Sequence, residues 1–265
     1  MQSSQPEESK MLEKDHDHLI AILNAEIRRY DIHNPDGLLE EFIQNFYGYG
    51  SLSSPLWFIG MEEGVGYETL EDRLLAWETL GKTSTIDIRE FHRLINESRW
   101  FSLFPQVQKT WKGLILTALA YYDLPSGKDA VRKYQRETMA TNDMALLELL
   151  PLPHKNLATW NYFNIYASKS AYRDKIAPKR IAWLKKQIAE RNPLAVVMYG
   201  TTPPYPDYWR MIAGDSFIKS NDLEYCKAEK TMFVVCKHPV AHGVTDSYFK
   251  SIGALIRAAS SSDSR

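Results

Sequence analysis

The chain has 265 residues, 44% hydrophobic and 12% aromatic, which is enough apolar material for one large core, and one domain is expected. Net charge is −1 but unevenly spread: residues 1–80 carry 5 basic and 16 acidic side chains, residues 81–265 carry 27 and 17, which fits either a polyanion-binding face or ordinary drift in helix-surface composition. Two cysteines without a CxxC exclude a disulfide framework and a four-cysteine cluster. The polar N-terminal residues lack an apolar signal core and no apolar stretch approaches the roughly 18 residues of a membrane span, so a reducing cytoplasm is the expected compartment.

In chain order, residues 1–15 read as a disordered tail, 16–258 as the folded domain and 259–265 as a second tail. Helical periodicity covers His18–Tyr30 and Gly37–Phe46, with Pro35-Asp36-Gly37 between them. Leu56–Gly60 predicts a short buried strand, and Thr69–Leu80, Ile86–Ile95 and Gln106–Tyr122 predict helices. Ala145–Leu150 reads as a strand stopped by Pro151-Leu152-Pro153. Ala177–Glu190 predicts a helix ended by Asn192-Pro193, followed by strands at Leu194–Gly200 and Thr231–Cys236 and a closing helix at Thr245–Ala258. Four apolar strands separated by helices imply an α/β fold: a three-layer α/β/α sandwich with a short, mostly parallel four-stranded central sheet.

Two of these strands end in chemically able residues. PLWFIGMEEGVG (Pro55–Gly66) delivers Glu62 and Glu63 into a glycine-punctuated turn, and MFVVCKHPVAHG (Met232–Gly243) delivers His238, followed by Pro239. In open parallel sheets ligands bind beyond the carboxyl ends of the strands, so a carboxylate and a histidine at two such ends suggest an acid/base site. Read as structure alone, the carboxylate complements a helix dipole and the histidine satisfies backbone.

The order and spacing of these motifs resemble the uracil-DNA glycosylase superfamily over roughly residues 50–258. Its first motif, Gly-x-(Asp or Asn)-Pro-(Gly or Tyr), reads here Gly60-Met61-Glu62-Glu63-Gly64; its second, His-Pro-Ser, reads His238-Pro239-Val240; and the strand that ends in its base-reading Asn reads Glu148-Leu149-Leu150-Pro151-Leu152. Glu62, Glu63, Glu148 and Val240 depart from the pattern, which implies either a changed substrate or lost activity.

The resemblance implies a DNA glycosylase without metal or organic cofactor. Breaking an N-glycosidic bond builds positive charge on the sugar and negative charge on the departing base. By resemblance Glu62 acts on the sugar or on water and His238 on the leaving base, with Glu63 the other candidate acid. Met61, Glu63, Gly64, Tyr67, Glu148, Pro239 and His242 are the substrate-binding candidates. A carboxylate at 148 accepts where an Asn amide both donates and accepts, so Glu148 favours the exocyclic amine of cytosine over the O4 of uracil. An enzyme removing ordinary cytosine would destroy its own genome, which points to a modified cytosine such as the glucosylated hydroxymethylcytosine of phage DNA, and to antiviral defence. The alternatives are a repair glycosylase for uracil or other deaminated bases and a catalytically inactive DNA-binding module. Base flipping needs a wedge, for which His242 and Val244 are available. Tyr67, Trp160, Tyr162 and Phe163 are available to stack on a flipped base, and the basic, aromatic-interleaved stretch Lys169–Arg191 fits either a phosphate-tracking surface or a solvated helix face.

Overall fold

In a computed structural model the four apolar runs become adjacent parallel strands at the centre of a larger sheet. Residues 37–262 are described, except 65, 67, 140–142, 157, 215 and 221. The expected helix at 18–30, the tail at 1–15 and Tyr67 therefore lie outside the described residues.

The strands are β1 (Gly48–Gly50), β2 (Leu56–Gly64), β3 (Thr85–Ile86), β4 (Met144–His154), β5 (Ala195–Tyr199), β6 (Ile218–Ser220), β7 (Leu223–Ala228) and β8 (Thr231–Cys236). They form one mixed sheet of eight, in the order β3-β1-β4-β2-β5-β8-β7-β6, rather than the four-stranded sheet expected. The parallel centre β4-β2-β5-β8 is the predicted set. Antiparallel additions extend it, β1 on β4 at one side and the β6–β7 hairpin on β8 at the other. The extra strands are short, glycine-bounded or partly exposed, so they carry no continuous apolar run. In contrast β5, β8 and the first six residues of β2 are buried without alternation, as strands covered on both faces must be.

The helices are α1 (Leu38–Asn45), α2 (Leu70–Thr79), α3 (Ile88–Leu94), α4 (Lys109–Tyr121), α5 (Lys128–Glu137), α6 (Lys169–Arg191), α7 (Tyr205–Ala213) and α8 (Asp246–Ser262). A capping box starts α2: Thr69 N–H donates to Asp72 Oδ2 at 2.8 Å, and Asp72 N–H donates to Thr69 Oγ1 at 3.0 Å. Helix α8 runs into the expected tail at 259–265, where Ser260 and Ser261 turn their hydroxyls back onto the Ile256 and Arg257 carbonyls. It packs on α4 closely enough that a Cβ at Gly253 would collide with the Thr117 carbonyl.

Two departures place the site. Strand β4 continues to His154 through Pro151 and Pro153, where it was expected to stop. The β2–β4 register shifts between the pairs Glu62–Leu150 and Gly64–His154, so the ladder is interrupted where the two prolines lie and tolerates them. Helix α6 starts at Lys169, eight residues earlier than expected, with Pro178 inside it. The chain runs from β2 to β4 on one side, then crosses back to β5 on the other side of β2. That reversal makes the carboxyl ends of β2 and β5 a topological switch point, where open α/β sheets bind ligands.

Candidate active site

A cavity of about 790 Å³ opens at this switch point. Met61, Glu62, Glu63, Gly64, Glu148 and His238 all contribute to its wall, so the two strand-end motifs and the intervening strand converge. Pro239 and His242 do not line it; the loop after β8 turns Val240 and Ala241 toward the cavity, and His242 is exposed. Val244 is half-buried against the core, whereas Val240 is 54% exposed and is the better-placed apolar tip at this rim.

Glu62 sits at the end of β2 with its side chain 2% exposed. Oε2 accepts from Lys169 Nζ at 2.7 Å and lies 3.0 Å from His154 Nδ1, while Oε1 accepts from the Tyr205 hydroxyl. Burial pushes its pKa up, but the hydrogen bonds from His154 and Lys169 and the Lys169 charge outweigh burial and hold the carboxyl below its usual range. Lys169 is the first residue of α6, capped by Ser168, where a cation opposes the helix dipole; the Glu62 carboxylate offsets that cost. Glu62 is thus a fixed anion whose oxygens are occupied by three donors.

Glu148 lies across from Gly60 in the β2–β4 register. Tyr199, the last residue of β5, donates its hydroxyl to Glu148 Oε1 at 3.1 Å, and Oε2 is shielded with no partner among the described residues. Burial, then repulsion from Glu63 and Glu62, raises this carboxyl well above the usual carboxylate range despite Tyr199 and Arg180. Both effects favour the protonated acid, the form in which this carboxyl can donate as well as accept. A methyl group at Gly60 would overlap both the Glu148 carboxyl and the Tyr199 hydroxyl. Gly60→Ala should displace this pair at a cost of about 1–3 kcal/mol, read as a lower denaturation midpoint; an unchanged midpoint would show that the pair can shift freely.

A carboxyl whose folded pKa lies above its unfolded one holds its proton more tightly when folded. Its contribution to stability is full below the ordinary carboxylate range and is lost as pH rises through the raised folded value. Glu148→Gln, which keeps the acceptor for Tyr199, should remove that fall. The variant should gain on the parent progressively above pH ~4–5, as followed by urea denaturation at several pH values.

Glu63 is committed elsewhere. It accepts from the Tyr49 hydroxyl at 2.8 Å and pairs with the buried Arg73, whose other nitrogen donates to Glu68 Oε1 at 2.6 Å. Burial alone would lower the Arg73 pKa, but Glu63, Tyr49 and Glu68 raise it, so the guanidinium stays charged. Beyond it lies His92, which burial drops to a pKa of about 4, leaving it neutral.

His238 accepts from the Val240 N–H at Nδ1 (3.3 Å), which leaves its proton on Nε2 in the neutral ring. Burial lowers its pKa, so the uncharged donor form prevails at neutral pH. The Tyr199 ring lies 5.4 Å away, edge to face.

The sequence reading missed His154, Tyr199 and Tyr205. His154 was hidden by the Pro151-Leu152-Pro153 stop; Tyr199 reads as the last apolar residue of a strand; Tyr205 lies in a proline-rich run that folds as α7. The basic, aromatic-interleaved stretch is mostly helix α6, and its aromatics are not presented to solvent. Tyr172 is buried, and Trp183 stacks on Tyr47 at 3.6 Å. Arg180, counted there as surface charge, is buried and donates to the carbonyls of Ile43 (3.1 Å), Glu148 (2.9 Å) and Leu149 (2.5 Å). Lys175, Lys179, Lys185, Lys186 and Arg191 remain exposed. Among the described residues no helix is long and apolar enough to cross a membrane, and no group of three or more His, Cys, Asp or Glu side chains is placed to hold a metal ion. The chain matches no protein-family model and no curated protein.

Proposed function

We propose that the protein is a DNA glycosylase of the uracil-DNA glycosylase type, built as a three-layer α/β/α domain. It flips a base out of DNA and cleaves its N-glycosidic bond, leaving an abasic site. The observation that carries this reading is the convergence of Glu62, Glu148 and His238 on one cavity at the switch point of the sheet. Each has a state suited to its part. Glu62 is a fixed anion that stabilises positive charge developing on the sugar; His238 is a neutral Nε2–H donor for the departing base; Glu148 is part of the same cavity wall and has a shielded oxygen without a partner among the described residues. The exposed lysines of α6 are available to the DNA backbone.

The substrate is a modified cytosine, such as the glucosylated hydroxymethylcytosine of phage DNA, and the role is defence in the cytoplasm. The cavity volume supports this, since about 790 Å³ is the scale of sites for ligands much larger than one pyrimidine. Neutral Glu148 pairs with the cytosine edge through two bonds, Oε2–H to N3 and the other oxygen from the N4 amine. The same protonation favours a second reading. A neutral carboxyl also matches the N3–H and O4 of uracil, so the rejection of uracil expected of a carboxylate is lost.

The test is a panel of DNA substrates carrying uracil, cytosine, hydroxymethylcytosine or glucosylated hydroxymethylcytosine, scored for alkali-cleavable abasic sites and released base. Excision confined to the modified cytosines supports the first reading, and excision of uracil alone sinks it in favour of the second. DNA binding with no excision from any substrate would leave a DNA-binding module and reject catalysis.

A further inference from the structure

We propose that His154 is the general base of this cavity and that Glu62 orients it, an inference that rests on the glycosylase reading for the bond being broken. Nδ1 of His154 faces two oxygens that only accept, Leu152 O at 2.9 Å and Glu62 Oε2 at 3.0 Å. Nδ1 therefore carries the proton in the neutral ring, and the lone pair is on Nε2. Nε2 is shielded from water and has no hydrogen-bond partner among the described residues, so the reacting water must be admitted to it when substrate binds. A histidine kept only for packing would not leave a buried nitrogen unpaired, whereas one kept to accept a proton must. The ring cannot turn to relieve this: Trp160 stacks on it at 5.3 Å and Tyr162 meets it edge-on at 5.1 Å. Tyr162 is itself fixed by donating to the Pro153 carbonyl at 2.6 Å. His154 forms part of the cavity wall together with Glu62 and His238.

Glu62 is poorly suited to take a proton from water, because Tyr205, Lys169 and His154 occupy its oxygens. His154 supplies the missing acceptor. In the step, a water O–H bond breaks and its proton moves to His154 Nε2. The water oxygen bonds to the anomeric carbon of the deoxyribose. The N-glycosidic bond breaks, and its electron pair leaves with the base, where His238 Nε2–H meets the developing charge. The Glu62 carboxylate on the other side of the ring balances the imidazolium until the proton passes to the product base or to solvent. The carboxylate–imidazole pair has the logic of the acid and histidine of a hydrolytic triad, with water in place of the serine.

Two measurements on the full chain test this. The first is the tautomer of His154 by ¹⁵N NMR of protein labelled at histidine, with the signal assigned by its loss in His154→Asn. The Nδ1–H form is expected, and the Nε2–H form would overturn the proposal. The second is single-turnover excision by His154→Asn, whose amide keeps a donor for Glu62 and Leu152 O but has no nitrogen lone pair. A fall of about 10²–10⁴-fold is expected, with the acid limb of the pH–rate profile lost and DNA binding retained. A rate within threefold of the parent, or an unchanged acid limb, would overturn it. If the parent protein excises nothing from any DNA in the panel, the glycosylase reading falls, while the NMR result still decides the Glu62–His154 pairing by itself.

Discussion

Glu62→Gln is expected to lower single-turnover base excision by about 10³–10⁴-fold while leaving DNA binding nearly unchanged. Two losses combine. The first is electrostatic: the substitution removes a carboxylate of the cavity wall that is held below the usual range, and with it the negative charge that would favour a cationic sugar in the transition state. The second is geometric. A Gln amide turns its oxygen to Lys169 Nζ and His154 Nδ1, which both donate at Oε2, so its NH2 group meets the Tyr205 hydroxyl, which must give up its donation to Oε1 and turn away. The partly buried Lys169 ammonium also loses its ion pair with Glu62, so some stability falls as well, and thermal melting must be read beside the rate. Glu63→Gln is the matched control, since Glu63 is engaged with Tyr49 and Arg73 and its loss should fall on stability more than on rate. Near-parental excision by Glu62→Gln would remove Glu62 from the mechanism, and a larger rate loss in Glu63→Gln would reverse the roles of the two acids.

The residues legible in the sequence are those that end long apolar runs. Leu56–Ile59 and Met232–Cys236 are buried on both faces and therefore stand out by composition alone, and they carry Glu62 and His238 to the same end of the sheet. What stayed hidden depends on contacts between distant segments. His154 lies 92 residues from Glu62 and comes within reach only because β4 runs on past two prolines beside β2. Tyr205 and Lys169 begin helices whose starts follow neither apolar periodicity nor an unambiguous stop. The charge state of Glu148 is likewise a property of the fold. As an isolated residue it reads as a carboxylate that only accepts; packed under Tyr199, filling the space that Gly60 leaves and near two other carboxylates, it is biased toward the protonated form that can also donate. Under the glycosylase reading proposed above, that bias would admit uracil as well as cytosine, and it depends on a neighbour with no side chain at all.

Arg73→Ala should be the most destabilising of these substitutions, at about 3–5 kcal/mol, because it breaks a buried charge network from its cationic centre. The guanidinium is 2% exposed, donates to Glu68 and to the Tyr49 hydroxyl at 3.2 Å, pairs with Glu63, and lies over the Phe91 ring at 5.1 Å. Removing it leaves two carboxylates facing each other without a cation, beside Glu68 Oε2, which already lacks a partner among the described residues. For a domain of this length that corresponds to a melting temperature lower by roughly 10 °C or more. The sign of the pH response separates this cause from simple cavity formation. If stranded carboxylates carry the cost, Arg73→Ala recovers toward the parent as pH falls through the carboxylate range and they take up protons, and Glu63→Gln with Glu68→Gln in the same chain restores much of the loss at neutral pH. A deficit that is constant with pH and not relieved by the paired Gln substitutions would instead assign the loss to packing around Phe91. Glu63 follows Glu62 directly at the end of β2, so Arg73 also anchors the turn from which the Glu62 carboxylate is aimed. In Arg73→Ala, excision measured well below the melting temperature should therefore fall together with stability, although the guanidinium itself is assigned no part in the chemistry.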